Sequence, residues 1–233
     1  MKTLEPNMKM LIEQFILDHQ SNELEAVILT GSYATGTATN RSDVDLCYIG
    51  NFPEFKRECH FYKGKEFQIM IGPWIWYEDV VKNYEREGNM GTITTMLAKG
   101  FCIWGNNKRW IDLHQLALEY SKVGPSPVSE KQIRKIRVKL TSLWNDFCDS
   151  NEVAVKKWLT FCLVQECVDA QFEIRRWWVA KPKYRLQKLR EKDSMMFKLV
   201  ERCMLGIDQD ALYQLCIHVL EPIGGWMDEY WQS

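Results

Sequence analysis

Residues 29–50 read LTGSYATGTATNRSDVDLCYIG, and the order of residue types in this stretch decides the fold. An apolar run, Leu24 to Thr30, leads into it and stops at Gly31-Ser32, which reads as a strand ended by a turn. Val44 to Gly50 alternates and ends on a second turn signal, so it reads as another strand. A Gly-Ser pair at a strand end leaves backbone N–H groups free beside a hydroxyl, a nest that binds phosphate oxygens, and Gly31 lets a phosphate come close. Asp43 and Asp45 are two apart on the predicted strand, so both carboxylates project from one face while Val44 and Leu46 turn inward. Side by side they repel unless a cation lies between them, which makes them a Mg²⁺ ligand pair able to bridge triphosphate oxygens and activate a hydroxyl. Acids spaced by one residue are common, and the chain has five such pairs, the others being Glu23/Glu25, Glu85/Glu87, Glu191/Asp193 and Asp208/Asp210. Only Asp43/Asp45 opens an apolar strand after a strand-Gly-Ser turn; the other four read as solvated surface.

Outward from this stretch, Leu4, Met8, Leu11, Ile12, Phe15 and Ile16 hold helical spacing and predict an amphipathic helix. Arg57 to Tyr62 and Glu66 to Ile71 flank Lys63-Gly64 at hairpin distance and predict two antiparallel strands. Pro73 suits a helix start, with that helix running to about Gly88. Met90 to Lys99 reads as a further helix closed by Gly100, Phe101 to Trp104 as a short strand, and Lys108 to Tyr120 as a helix. GPSPVS, residues 124–129, is the single cluster of Pro, Gly and Ser, and Ser129-x-x-Gln132 is a capping box opening a new helix. Beyond it the spacing of Ile133, Ile136, Leu140, Leu143, Trp144 and Phe147, then of Val155, Trp158, Leu159, Cys162 and Leu163, is helical, and no strand is evident. The expected class is α+β: a mixed sheet with flanking helices over residues 1–123, then an all-α bundle over 129–233.

With 233 residues, 46% hydrophobic and 26% charged, the chain buries a core, and disorder is excluded as its general state. A formal charge of −1 supplies no broad basic field for nucleic acid. Glu5, Glu13 and Asp18 interrupt the N-terminal apolar residues, and no stretch of about 18 apolar residues occurs, so the protein reads as soluble, cytoplasmic and without membrane partners. Its eight cysteines include no C-x-x-C pair and suit reduced, mostly buried thiols, while His19, His60, His114 and His218 match no metal motif and read as structural.

Gly31-Ser32, Gly36 and Ser42-Asp43-Val44-Asp45-Leu46 together resemble the signature of the DNA polymerase β nucleotidyltransferase superfamily, and the helical second half resembles the kanamycin nucleotidyltransferase arrangement. The resemblance covers about twenty residues. It implies that Asp43 and Asp45 hold Mg²⁺ and are catalytic, and that Gly31 and Ser32, with Ser42 beside the acids, bind the phosphates of a nucleoside triphosphate. The family also expects a third carboxylate on a neighbouring strand, and here that element is Lys65 to Ile71. By its flanks Gln68 takes the third position, where a neutral amide cannot act as a general base. Glu66, one pleat away and about 6 to 7 Å along the strand, completes a triad only in a different register. Two readings therefore stand: Glu66 is the third catalytic carboxylate, or the protein is a weakened or inactive member.

Residues 175–192, RRWWVAKPKYRLQKLREK, hold eight Lys and Arg against one acid. Lys181-Pro182-Lys183 breaks the preceding helix and would present Lys181 and Lys183 to a triphosphate tail, in a cleft between the two halves; the alternative is a solvated basic face over Trp177 and Trp178. Glu166, Asp169 and Glu173 form one helical stripe, and Glu166, on an otherwise apolar face, is the candidate to accept a proton from a substrate hydroxyl. The aromatic run Pro73 to Tyr77 suits either a stacking platform or core. The function expected is Mg²⁺-dependent transfer of a nucleoside monophosphate, AMP first, from ATP to a hydroxyl of a small-molecule acceptor, with release of pyrophosphate; the resemblance implies aminoglycoside-like compounds as the acceptor class. The alternatives are a catalytically weakened nucleotide-binding or antitoxin-like regulatory protein, and transfer to an RNA end, which the near-zero charge disfavours.

Overall fold

β1 (Leu24–Leu29) and β2 (Val44–Gly50) are buried along nearly their whole length, as central strands covered on both faces must be. The protein, seen here as a computed structural model, is described over residues 5–105 and 107–227. Leu4, the first apolar position of the predicted N-terminal helix, lies outside these residues. β3 (Lys56–Tyr62), β4 (Lys65–Pro73) and β5 (Phe101–Gly105) complete a five-stranded sheet of order β3-β4-β2-β1-β5. β2 and β4 run parallel and every other neighbouring pair antiparallel, so the sheet is mixed and the fold is α+β. Lys63 and Gly64 take φ of 47° and 82° between β3 and β4, the doubly left-handed geometry of a two-residue hairpin turn, and Tyr62 faces Lys65 across it.

Helices cover both faces. α1 (Pro6–Asp18) lays Ile12, Phe15 and Ile16 on Val44, Leu46, Phe67 and Ile69, with the Phe15 ring stacked on Phe67 at 4.0 Å between centroids. A single helical turn, α2 (Gly31–Thr35), joins β1 to β2 and ends at Gly36 with φ 68°. The opposite face carries α3 (Trp74–Asp79), a π-helical turn over Val80–Tyr84, α4 (Glu85–Gly88), α5 (Thr92–Lys99) and α6 (Asn107–Val123). These bring Trp74, Tyr77, Val81, Leu97 and Trp110 onto Cys47, Ile49 and Met70. The predicted helix from Pro73 to Gly88 is thus present but widened in its middle.

Of the two readings of the aromatic run, Trp74 and Tyr77 take the core one, whereas the other acid pairs depart from their reading as solvated surface. Trp74 and Tyr77 are core residues, the Trp74 indole donating to Glu25 Oε2 at 2.8 Å and the Tyr77 hydroxyl to the Met70 carbonyl at 2.6 Å, so the aromatic run gives its two most buried rings to packing. Nor are the other acid pairs simply solvated. Glu85 is 3% exposed and takes the N–H groups of Ile93 (2.6 Å) and Thr94 (2.7 Å), which the first turn of α5 would otherwise leave unpaired.

A second compact unit begins at Pro125, the first ending at Gly124. It contains α7 (Glu130–Asp149), α8 (Val153–Ile174), α9 (Pro182–Lys192), α10 (Ser194–Leu205) and α11 (Gln209–Leu220), and no strand occurs among its described residues. Ser129 and Gln132 form the capping box that the sequence predicts for α7. Phe147, Leu163, Phe172, Leu212 and Leu215 lie in one core.

Asp193 ties this unit together. It caps α10 through the Met196 N–H at 2.9 Å and accepts from Gln171 Nε2 at 2.9 Å, with the His218 ring nitrogen at 2.7 Å. Burial by itself raises the Asp193 carboxyl, but Met196, His218 and Gln171 together hold it below the usual carboxylate range. A folded pKa below the unfolded one means that Asp193 stabilises the unit above its unfolded pKa and loses that contribution as pH falls through the folded value. Asp193→Ala is expected to cost about 2 kcal/mol at pH 7, the upper range for a lost cap. Urea melts of both proteins should show the difference shrinking as the pH is taken below about 4.

Candidate functional site

The site starts from the junction of β1 and α2. Thr30 donates its N–H (2.9 Å) and its hydroxyl (3.2 Å) to the backbone carbonyl of Asp45, which pins the end of β1 to β2. The chain then turns at Gly31 with φ +63°, directly over the Asp45 side chain. A Cβ built on Gly31 would lie 2.0 Å from Asp45 Oδ2 and 2.8 Å from its Cγ, so only glycine lets the turn and the carboxylate approach this closely. Next in sequence, the Ser32 hydroxyl oxygen is buried and has no hydrogen-bond partner among the described residues. Such an oxygen loses hydration without recompense unless something binds it.

Asp45 pairs with Gln68 in the parallel β2·β4 register, as Val44 does with Phe67. Alternation puts Asp43 and Asp45 on the face that carries Glu66 and Gln68 of β4, opposite the face packed by α1. Both aspartates are half-buried, Gln68 is half-buried and Glu66 is exposed. β3 contributes two residues that the sequence reading did not place at the site. Arg57 Nη2 donates to Gln68 Oε1 at 3.3 Å, and the Cys59 thiol, level with Gln68, donates to Glu66 Oε1 at 3.4 Å. Gln68 Nε2 donates to the same Glu66 oxygen and to Cys59 Sγ. The signal for both was present: in RECHFY, alternation sends Arg57 and Cys59 to one face, and the pairing of β3 with β4 makes it the face of Gln68. The hydrogen bond to Glu66, with the nearby charges of Glu66 and Asp43, holds the Cys59 thiol above its ordinary pKa, so it is no thiolate nucleophile. Cys59 and Cys148 are exposed, so the thiols are less uniformly buried than the sequence suggests.

Whether Mg²⁺ suits these residues turns on the donor set. A hard dication that keeps water and phosphate among its ligands needs only one or two carboxylates from a protein. Asp43 and Asp45 supply two, Gly31 leaves the Asp45 carboxylate unobstructed by any Cβ, and Ser32 keeps a hydroxyl for a further oxygen. The residues fit a cation that shares its shell with a triphosphate. Among the described residues, no group of three His, Cys, Asp or Glu side chains is placed to hold a metal without such help.

Residues 10–87 match the family model described as the nucleotidyltransferase domain. These residues form a nucleotidyltransferase domain of the polymerase β-like superfamily. The Gly31-Ser32 turn, Asp43, Asp45, Glu66 and Gln68 all fall within it. Over 92% of this chain and 75% of the other, the fold also aligns with a nucleotidyltransferase-like protein from Exiguobacterium sibiricum, at 14% identity and a TM-score of 0.45, a likeness too distant to bear on site or substrate. None of the curated proteins matches the chain.

In the nucleotidyltransferase domain Ser42 spends its hydroxyl on the chain itself. Its Oγ accepts the Thr39 N–H at 2.9 Å while its own N–H goes to the Thr39 carbonyl at 3.0 Å, so Ser42 shapes the turn that delivers Asp43. The remaining candidates belong to the helical unit. Lys181 is the residue before the first turn of α9 and Lys183 lies in that turn; both are exposed, with the Lys183 ammonium over the Tyr184 ring. Much of the surrounding basic run is paired: Arg185 with Asp169, Arg190 with Glu201, and Arg176 with the Pro125 carbonyl. Glu166, expected on an apolar face, is ion-paired with Lys139 Nζ at 2.6 Å. Burial instead raises the carboxyls of Asp169 and Glu173, against the pull of Arg185 in the first case and with help from Asp169 and Glu166 in the second. No helix among the described residues is long and apolar enough to cross a membrane.

Proposed function

We propose that the chain is a Mg²⁺-dependent nucleotidyltransferase that moves a nucleoside monophosphate, AMP in the first instance, from a nucleoside triphosphate to a hydroxyl of a small molecule. The hydroxyl oxygen bonds to the α-phosphorus as its proton passes to solvent water, the bond to the bridging oxygen of the β-phosphate breaks, and pyrophosphate leaves with its electron pair. Aminoglycoside-like compounds are the acceptor class to try first. The observation that carries this reading is the seating of the Asp45 carboxylate on Gly31, beside a buried and unpaired Ser32 hydroxyl, inside a nucleotidyltransferase domain. Asp43 and Asp45 would hold the cation, which when bound offsets phosphate charge and polarises the attacking hydroxyl. Ser32 would donate to a phosphate oxygen and the backbone at Gly31 would line its approach.

A second reading, a nucleotide-binding protein without turnover, is favoured by one feature: the residue level with Asp45 on β4 is Gln68, and the nearest acid, Glu66, accepts hydrogen bonds from Gln68 and Cys59. Titration with ATP, GTP, CTP and UTP, with and without Mg²⁺, followed by pyrophosphate release with pooled hydroxylated acceptors, separates the two. Metal-dependent binding with release is the expected result. Binding without release for any acceptor supports the second reading, and no binding of any nucleotide rejects both.

A further inference from the structure

The side chains around Gln68 bear on how many cations the site takes. Two-metal phosphoryl transfer needs carboxylates that hold both ions about 3.5–4 Å apart. Here the position level with Asp45 is an amide. Its carbonyl oxygen, the one atom by which Gln68 could ligate a cation, accepts from Arg57 Nη2 at 3.3 Å, and its nitrogen points to Glu66 and Cys59. Glu66 Oε1 in turn accepts from both of those groups. The third acid is therefore bound up in a side-chain network, and a guanidinium stands on that side of the pair. A second dication would meet a neutral ligand and a fixed positive charge where a two-metal site has a carboxylate. Arginine is suited to this position, because it keeps its charge at any working pH and its fork matches phosphate oxygens.

We propose that this site holds one divalent cation rather than two, and that Arg57 supplies the second positive charge to the bound triphosphate. The inference rests on the nucleotidyl-transfer reading and specifies its metal requirement. Arg57 is a positioning and charge-supplying residue, and the open edge strand β3 leaves it exposed for that task.

The test counts metal and needs no turnover. Protein is loaded with Mn²⁺ and a non-cleavable nucleoside triphosphate analogue, passed rapidly through a desalting column, and its retained Mn²⁺ measured by electron paramagnetic resonance after acid release. The wild type is expected to retain one Mn²⁺ per chain, and the double variant Arg57→Met/Gln68→Glu, which restores an acid and removes the cation, two. Arg57→Met alone should keep one Mn²⁺ and bind the analogue about tenfold more weakly, the worth of one charge-assisted hydrogen bond. Two Mn²⁺ in the wild type, or unchanged analogue affinity in Arg57→Met, overturns the proposal while leaving nucleotidyl transfer intact. A double variant that still retains one overturns the part given to Arg57 and Gln68. No retained Mn²⁺ and no bound analogue in the wild type removes the transfer reading as well. Thermal melts identify any variant that fails to fold, and the wild-type count decides the stoichiometry without them.

Discussion

Asp45→Asn is expected to lower pyrophosphate release at least a thousandfold, equivalent to about 4 kcal/mol of lost transition-state stabilisation, while the folded structure persists. The substitution exchanges one oxygen for a nitrogen and leaves the side-chain shape unchanged. The backbone carbonyl of Asp45, which takes both Thr30 donors, is untouched, so the joint between β1 and β2 survives. What disappears is one of two negative charges that would face the cation, and an amide is a poor replacement for a carboxylate toward Mg²⁺. The loss should appear in kcat and in the Mg²⁺ dependence of nucleotide binding, with little change in the urea midpoint. Glu66→Gln is the matched comparison. Its carboxylate is exposed and already shared between Gln68 and Cys59, so about threefold or less is expected. Full activity in Asp45→Asn would reject the assignment of this face as the site, and a thousandfold loss in Glu66→Gln would restore Glu66 as a third ligand.

Local chemistry explains which parts of this fold were readable. β1, β2 and the β3–β4 hairpin announce themselves through apolar alternation and the Lys63-Gly64 turn, and α7 through its capping box, because each signal acts between residues close in sequence. The parallel pairing of β2 with β4 is a different matter. It joins residues more than twenty positions apart across an intervening edge strand, and nothing local specifies that Asp45 lies beside Gln68. The flanking apolar residues Phe67 and Ile69 indicated which side chains face away from the core, but they carry no information about what Gln68 touches. The hairpin alone sends Arg57 and Cys59 to the face of Gln68, but only the β2·β4 pairing brings that face beside Asp45 and makes them site neighbours. Acid pairs misled for the same reason: Glu85 is called into the interior by the N–H groups of α5, and Asp193 by α10, Gln171 and His218. A buried acid that satisfies backbone donors and a solvated acid look alike in sequence. Glu166 shows the converse, since Lys139, which pairs with it, comes from α7, a different helix.

Gly31→Ala should weaken nucleotide binding about a hundredfold, or about 2.7 kcal/mol, and it can be separated from ordinary backbone strain within the same protein. Two costs are involved. Gly31 has φ +63°, where any residue with a Cβ loses about 1–2 kcal/mol, and the added carbon would lie 2.0 Å from Asp45 Oδ2. Moving the carboxylate aside disturbs the group proposed to hold the cation, and moving the turn aside displaces the backbone and the Ser32 hydroxyl proposed to meet phosphate. Either response damages the same site. Gly64 provides the control, because its φ is +82° and nothing lies within 4 Å of a Cβ placed there. Gly64→Ala should pay only the backbone cost, appear in the urea midpoint, and leave nucleotide affinity within about twofold of wild type, as a distant surface change does. Measured side by side by calorimetry, the two variants should lose similar stability from the left-handed backbone and differ sharply in affinity. Equal affinities would mean that the close approach of Gly31 to Asp45 is packing alone, and would move the phosphate-binding turn elsewhere in the domain.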